Sequence, residues 1–273
     1  MDKMRTQNSL VRLTLDRLVC VLPLVVLLGG VVCADDATEH NCQRLLMDFG
    51  WKFTKDDPPN SSRLVYAPDA ARADFDDSGW RSVDLPHDWS IEGPWAQDNS
   101  SGAGGGYDPL GIGWYRKHFK MPEEWMGKHI FLEFDGVFNR ADVWVNGEVV
   151  GQNDNGYLGF QCDLTPFIST TSSWFPVTIG KDNIIAVRVD NSRQASRWYT
   201  GSGLYRHVWL TVTGPLHVAY IGTYITTPVV SDLQATVRVQ TTLRNDSDVA
   251  RSAMLVTELK DPQNNIVAAL VAK

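Results

Sequence analysis

Apolar and polar residues alternate with a period of two in several short segments, and this pattern restricts the chain to a β fold. Residues 142–150 alternate on both sides of Asn146-Gly147, a dipeptide that tolerates the positive φ angles of a type I′ turn. Residues 183–190 and 206–213 alternate in the same way. Pro and Gly interrupt the pattern at the spacing of a sandwich or barrel, and no long segment keeps a helical period. The sequence therefore predicts an all-β protein.

The dipeptide Gly214-Pro215 predicts a boundary between two domains. The first domain is predicted over residues 44–213. The second, over residues 217–273, contains three strand-like segments and the start of a fourth. It has about 60 residues, whereas an immunoglobulin-like sandwich needs about 100. We therefore expect an incomplete sandwich, in a fragment of a longer protein.

Residues 1–34 have the composition of a secretory signal peptide. Four basic residues come first, an apolar run follows over residues 18–32, and Val32-Cys33-Ala34 ends it where a signal peptidase would cut. The run has about 15 apolar residues, whereas a membrane span needs roughly 20. We expect cleavage, a secreted, periplasmic or extracellular location, and no membrane attachment afterwards. A retained signal anchor is the alternative.

Charge and cysteine content argue against several functions. The formal net charge is −7 and no Lys/Arg cluster occurs, which argues against nucleic-acid binding. Because no Cys-x-x-Cys or His-x-x-x-His spacing occurs, we expect neither a metal site nor a cofactor. Cys42 and Cys162 lie outside the leader, and a disulfide between them is left open. Asn60, Asn99 and Asn245 begin acceptor sequons for glycosylation.

Two loops stand out between the predicted strands. Residues 102–113 are rich in glycine but lack a phosphate-binding register, so we interpret them as a mobile surface loop. Residues 191–210 place aromatic and arginine side chains around a Gly-x-Gly bend. Aromatic faces stack on rings, and guanidinium groups bind hydroxyls or carboxylates. This second loop is a candidate sugar-binding segment, and a tight corner with aromatics packed beneath it is the alternative.

Several motifs occur in order between residues 49 and 213 and are specific as a set. They are DDSGWRSVDLPHDWSIEGP at 76–94, GWYRK at 113–117, FDGV at 134–137, VWVNG at 143–147 and the segment 192–210. Together they resemble the N-terminal domain of glycoside hydrolase family 2, the β-galactosidase and β-glucuronidase group, and secreted bacterial-type β-galactosidases most closely. The resemblance implies a jelly-roll (galactose-binding-like) β-sandwich, then an immunoglobulin-like β-sandwich, then a catalytic TIM barrel that this chain is too short to contain.

The resemblance also implies retaining chemistry by two barrel glutamates about 5–5.5 Å apart, of which the acid/base follows an asparagine. This chain has no Asn-Glu dipeptide. Its own carboxylates Glu123, Glu124, Glu133 and Asp142 have the settings of surface turns and strands. We therefore expect no catalytic residue here, and no activity of the chain alone. The resemblance permits a homo-oligomeric full-length enzyme.

In the family, loops of the jelly roll contact the terminal sugar at the barrel mouth. His87 and Asp88 are the first candidates because both side chains bind hydroxyls, although Asp88 is equally expected to cap a turn. Arg197, Trp198 and Tyr199 are the second. Related enzymes often have an aspartate near position 197, so the arginine leaves the exact contact and the substrate choice open.

These observations predict the N-terminal part of a secreted β-galactosidase, which hydrolyses a terminal β-linked sugar in carbohydrate metabolism. The chain would supply part of the sugar subsite. Two alternatives are a non-catalytic carbohydrate-binding or adhesion module and a structural extracellular β protein without a ligand. A reading frame that continues past Lys273 into a barrel would separate the enzyme from the module, and a galactose titration bears on the structural alternative.

Overall fold

The computed structural model describes residues 9–18, 26–33, 42–62, 68–169, 177–178, 180, 182–193, 199–232 and 234–272. Within these residues the regular structure consists of β-strands and short 3-10 helices, which confirms the all-β prediction. No helix in this part of the chain is long and apolar enough to cross a membrane. The strands are β1 Ser9–Leu18, β2 Val26–Cys33, β3 Cys42–Leu46, β4 Trp51–Lys55, β5 Arg81–Val83, β6 Gly111–Lys120, β7 His129–Phe134, β8 Arg140–Val145, β9 Glu148–Asn153, β10 Phe160–Asp163, β11 Ile168–Ser169, β12 Val177–Thr178, β13 Asp182–Asn191, β14 Val208–Thr213, β15 Leu216–Val230, β16 Ala235–Asn245, β17 Ala253–Lys260 and β18 Ile266–Ala272.

Residues 44–212 form one compact unit, which is a β-sandwich. Its larger sheet has six strands in the order β5-β4-β6-β13-β8-β9, and every neighbouring pair is antiparallel. Its smaller sheet has the order β10-β7-β14-β3. The two-stranded parallel pair β11-β12 completes the unit. The predicted sandwich class is confirmed.

The sandwich core follows directly from the period of two. Alternate residues of β13, β8, β7 and β14 point inward and are buried together, because side chains on a strand face opposite sides of the sheet in turn. The inward positions are Ile185, Val187, Val189, Ala141, Val143, Val145, Ile130, Leu132, Phe134, Val208, Leu210 and Val212. Burial of this apolar set is the main favourable term in the stability of the unit.

The predicted turn at Asn146-Gly147 joins β8 to β9. Both residues have positive φ, +50° and +95°, as a type I′ turn requires. The backbone N–H of Asn146 donates to the carbonyl of Ile184 on β13 (2.9 Å). The hairpin is therefore held to the centre of the six-stranded sheet.

The outer face of the six-stranded sheet is buried as well, and two arginines carry charge into it. Arg116 is fully buried, and its guanidinium donates to the carboxylate of Asp77 (Nε to Oδ2, 2.7 Å) and to the carbonyl of Arg72 (3.0 Å). Arg188 donates to both carboxylate oxygens of Asp57 (2.7 and 3.1 Å). The segments that carry these acceptors are thereby held over the sheet, beside the stacked rings of Trp114 and Trp144.

The second unit combines residues up to Gln43 with residues from Thr213 onwards. Four strands, β15 to β18, occur where the sequence predicted three strands and the start of a fourth, and Leu216, Leu243 and Leu255 form a small core. The strands β1 and β2 of the predicted leader pair with β16 and β17. Cleavage of the leader stays a prediction, and it would leave these edges of β16 and β17 unpaired.

The structure does not contain the Cys42–Cys162 disulfide that the sequence left open. Cys42 is exposed and begins β3, whereas Cys162 is buried in β10. Burial raises the pKa of the Cys162 thiol to about 12. Since the thiolate is the reactive form, Cys162 is an inert packing residue.

The buried Arg116–Asp77 pair gives a stability prediction. Arg116→Met should lower the free energy of unfolding by about 3 kcal/mol or more, because it leaves a buried carboxylate without its main partner. Urea unfolding followed by tryptophan fluorescence measures the change. Arg72→Met is the matched control, since its guanidinium pairs with Asp74 on the surface (2.8 Å) and its loss should change little. Equal urea midpoints for the two variants would contradict the structural role of Arg116.

Candidate functional site

A cleft of about 640 Å³ opens where three loop segments of the 44–212 unit meet. Two of these segments belong to the connection between β5 and β6, and the third belongs to the connection between β13 and β14. The lining residues are Asp88, Ser90, Ile91, Trp95, Gly106, Asp108, Tyr199, Thr200 and Gly201. Asp88 and Tyr199 are therefore the two sequence-predicted site residues that the structure brings together.

Asp88 holds two of these loops to each other. It precedes the 3-10 helix Trp89–Glu92, and its Oδ1 accepts the backbone N–H of Ser90 (2.9 Å), which confirms the predicted cap. The same oxygen accepts the backbone N–H of Ser202 from the other loop (2.7 Å). The N–H of Trp89 donates in return to the carbonyl of Ser202 (3.1 Å).

The other carboxylate oxygen of Asp88 is available to a ligand. Oδ2 has no hydrogen-bond partner among the described residues, and Asp88 lines the cleft. Burial raises the pKa of this carboxyl. The hydrogen bonds from the backbone N–H groups of Ser202 and Ser90 oppose this shift, because they favour the ionised form. Hydrogen bonds to an ionised acceptor are stronger than neutral ones. Asp88 thus combines the capping role with a carboxylate that can accept a hydroxyl.

A buried polar chain fixes the loop on which Ser202 lies. The hydroxyl of Ser90 donates to Ser202 Oγ (2.6 Å), and the amide of Asn191 donates to the same oxygen (2.7 Å) and to the carbonyl of Gly201 (2.9 Å). Since buried polar groups are costly when unpaired, these bonds define the position of Gly201 and Ser202.

His87 does not line the cleft but lies beneath it. Its ring packs on Phe53 (4.7 Å between centroids), and Nδ1 is 2.7 Å from the hydroxyl of Tyr115. Nε2 is 2.9 Å from Arg81 Nη2 and 3.2 Å from Glu92 Oε1. Burial lowers the pKa of His87, so the imidazole is neutral near pH 7. Its contacts position the Trp89–Glu92 turn rather than a ligand.

Tyr199 lies against the glycine-rich loop. A Cβ on Gly106 would overlap the Tyr199 ring, and Gly106 has φ of +70°, so both space and backbone require glycine here. No sequence motif indicated that this loop contributes to a site. Arg197 and Trp198, the other predicted residues of this segment, lie outside the described residues.

Trp95 and Asp108 are site residues that the sequence analysis missed. The indole N–H of Trp95 donates to Asp108 Oδ1 (3.0 Å), and Asp108 is itself buried. The only available signal was a tryptophan directly after Gly93-Pro94, in a segment with no strand pattern. A lone aromatic residue in a loop does not distinguish a buried ring from an exposed one.

The other carboxylates considered from the sequence lie outside the cleft lining. Glu133 accepts a hydrogen bond from Arg44 (3.1 Å), and Asp142 accepts one from Gln152 (2.9 Å). Glu123 and Glu124 lie in a 3-10 helix. Within the described ranges, no group of three or more His, Cys, Asp or Glu residues has the arrangement of a metal site.

The three sequon asparagines differ in accessibility. Asn60 is exposed, and its amide donates to Asp69 (3.2 Å). The amide of Asn99 donates to the carbonyls of Pro94 (2.9 Å) and Tyr107 (2.7 Å), and that of Asn245 to the carbonyl of Val249 (2.8 Å). Glycosylation at Asn99 would therefore break bonds that shape the loop containing Trp95.

The cleft of this β-sandwich combines exposed aromatic rings, close-packed glycines and a carboxylate, which are groups that can contact a sugar. Residues 107–214 match the family described as glycosyl hydrolases family 2, sugar binding domain. Through this domain the chain belongs to glycosyl hydrolase family 2.

Relatives of the chain are glycosidases of two specificities. It is similar to the β-galactosidase BoGH2A of Bacteroides ovatus, with 46% identity over 73% of this chain and 22% of that protein. A β-glucuronidase of Formosa agariphila is 31% identical over 87% of this chain and 24% of that protein. The solved structure of a family 2 member from Bacteroides cellulosilyticus has a TM-score of 0.73 at 38% identity, over 84% of this chain and 28% of that one. The chain thus spans about a quarter of the length of these relatives.

The buried His87 gives a pH prediction. Its lowered pKa means that the folded state binds fewer protons than the unfolded state just below pH 6.5. The free energy of unfolding should therefore decrease as pH falls from about 6.5 towards 5, and His87→Gln should remove that part of the slope. Urea unfolding at several pH values measures it, and NMR titration of the His87 imidazole checks the assignment. An unchanged slope in the variant would refute it.

Proposed function

We propose that this chain is the N-terminal part of a retaining β-glycosidase with a β-galactoside as its preferred substrate, and that it supplies one side of the terminal-sugar site. The two catalytic glutamates would belong to a part of the enzyme outside this chain. No glutamate occurs among the described residues of the cleft, which supports this division. On the same proposal the chain alone hydrolyses no glycoside, and its leader directs it out of the cytoplasm.

The single observation that carries the proposal is the Oδ2 of Asp88, which lies in the cleft and accepts no hydrogen bond from the described residues. The carboxylate is held by two backbone N–H groups through Oδ1, so its position is fixed before a ligand arrives. A sugar presents several hydroxyl donors, and a fixed carboxylate oxygen accepts one or two of them with little ordering cost. Asp88 therefore acts by binding and orientation and transfers no proton in the reaction.

Two features support a neutral sugar over a uronic acid. The ionisable groups among the described lining residues are the acids Asp88 and Asp108 and the phenol of Tyr199, and none of these described residues is basic. A uronate carboxylate would meet like charge at short range, which is unfavourable without a cation. Identity to the β-galactosidase BoGH2A is also higher than to the β-glucuronidase of Formosa agariphila.

Replacement of Asp88 tests the proposed contact. Asp88→Asn keeps an Oδ1 acceptor for the two N–H groups but removes the charge, so the dissociation constant for methyl β-galactoside should rise about tenfold. NMR titration of the chain measures this weak binding. The control is Asp163→Asn, because Asp163 Oδ1 also accepts an N–H two residues ahead (Thr165, 2.9 Å) but lies outside the cleft. Equal affinities of Asp88→Asn and the unmodified chain would exclude the contact.

Acidification provides an independent test. Burial raises the pKa of Asp88, so its carboxylate becomes protonated at a higher pH than the usual value of about 3.9. The affinity for methyl β-galactoside should therefore decrease as pH falls through this raised pKa, while Asp88→Asn should bind with no such step. Dissociation constants across the acidic range decide, and a step of equal size in both proteins would assign it to another group.

A further inference from the structure

The cleft contains more exposed apolar surface than one hydroxyl-rich sugar requires. Its three large apolar side chains, Ile91, Trp95 and Tyr199, have exposed fractions of 69%, 56% and 74%. Single exposed apolar residues are common on protein surfaces, but several in one concave site mark a binding surface.

The ring of Trp95 is held in a fixed position although it is exposed. Its indole N–H donates to the buried Asp108 (3.0 Å), and its ring lies against Gly93, where a Cβ would be 3.4 Å from a ring carbon. The amide of Asn99 closes the same loop by donating to Pro94 and Tyr107. An aromatic face that is fixed in advance stacks on a ligand ring at low entropic cost.

The size of the cleft indicates what this face receives. At about 640 Å³ it falls within the roughly 300–1,000 Å³ of sites that enclose drug-sized ligands. A single hexose is smaller than such a ligand, whereas a disaccharide is similar in size. With the terminal sugar at Asp88, the space beside Trp95 is left for a second ring.

The match to the family's sugar-binding domain begins at residue 107, so Ile91 and Trp95 precede it, while Asp108 and Tyr199 fall within it. The loop that carries Trp95 thus lies ahead of the matched segment in sequence, and differences in loops change specificity without altering the scaffold.

We infer that Trp95, together with Tyr199, is a stacking platform for the second sugar unit of a β-linked oligosaccharide, and that Trp95 determines a preference for oligosaccharides over simple galactosides. This inference rests on the proposed function, since it requires the terminal sugar to occupy the position at Asp88. Both contacts are non-covalent, and Trp95 takes no part in bond cleavage.

The test compares methyl β-galactoside with lactose and its β-1,3- and β-1,6-linked isomers, by NMR titration of the chain. At least one disaccharide should bind roughly three- to tenfold more tightly than methyl β-galactoside. Trp95→Ala should abolish this gain, so that no disaccharide binds more tightly than methyl β-galactoside binds to the same variant, and Trp95→Phe should retain part of the gain. Tyr157→Ala is the control, because Tyr157 is equally exposed (57%) but lies outside the cleft.

The outcomes separate the two proposals. Tight disaccharide binding that is lost only in Trp95→Ala supports the platform. If methyl β-galactoside binds but no disaccharide binds more tightly, or if the gain persists in Trp95→Ala, the platform is overturned while the proposed function stands. If none of these sugars binds, the proposed function is overturned and the platform with it.

Discussion

One carboxylate oxygen fixes the geometry of the whole cleft. Asp88 Oδ1 accepts backbone N–H groups from Ser90, two residues ahead, and from Ser202, 114 residues away. Separating the two loops would leave these buried N–H groups and the carboxylate without partners, which costs free energy. The two loops are therefore held together at this point. The side chains of Ser90 and Asn191 then hold Ser202 from the other side. Because Oδ1 accepts both of these backbone N–H groups, neither of these bonds uses Oδ2, which can accept a hydrogen bond from a ligand.

Charge is distributed differently on the outer face of the six-stranded sheet and in the cleft. On that face the buried Arg116 forms an ion pair with Asp77, and the buried Arg188 forms one with Asp57. These ion pairs hold the covering segments to the sheet. Among the described residues, the cleft carboxylate of Asp88 accepts hydrogen bonds from neutral backbone N–H groups. A partly buried carboxylate that is oriented by such donors keeps its capacity to accept hydroxyl groups. Structural and ligand-binding electrostatics are therefore separated within one unit.

The sequence predicted the strands well because their period of two and the Asn146-Gly147 turn are local signals. It also predicted the cap at Asp88, because a carboxylate directly ahead of a turn commonly accepts a backbone N–H two residues on. The contact of Asp88 with a sugar stays a prediction. His87, its neighbour in the same motif, is buried because Phe53 and Tyr115 pack around it from other strands. That packing is a tertiary property, as is the contact of the Tyr199 ring with a glycine 93 positions earlier. Trp95 lies in a loop without periodic alternation, so the sequence does not predict whether its side chain is buried or exposed.

Glycine explains why the cleft stays open. Gly201 and Gly106 both have φ of +70°, a region that side-chain-bearing residues rarely adopt. A Cβ on Gly201 would lie 2.6 Å from Asp88 Oδ2 and would cover the oxygen that the site depends on. A Cβ on Gly106 would displace the Tyr199 ring from the cleft wall. On the proposed function, these two glycines matter because they lack a side chain: the space that a Cβ would fill is the space in which the carboxylate and the aromatic ring contact a ligand.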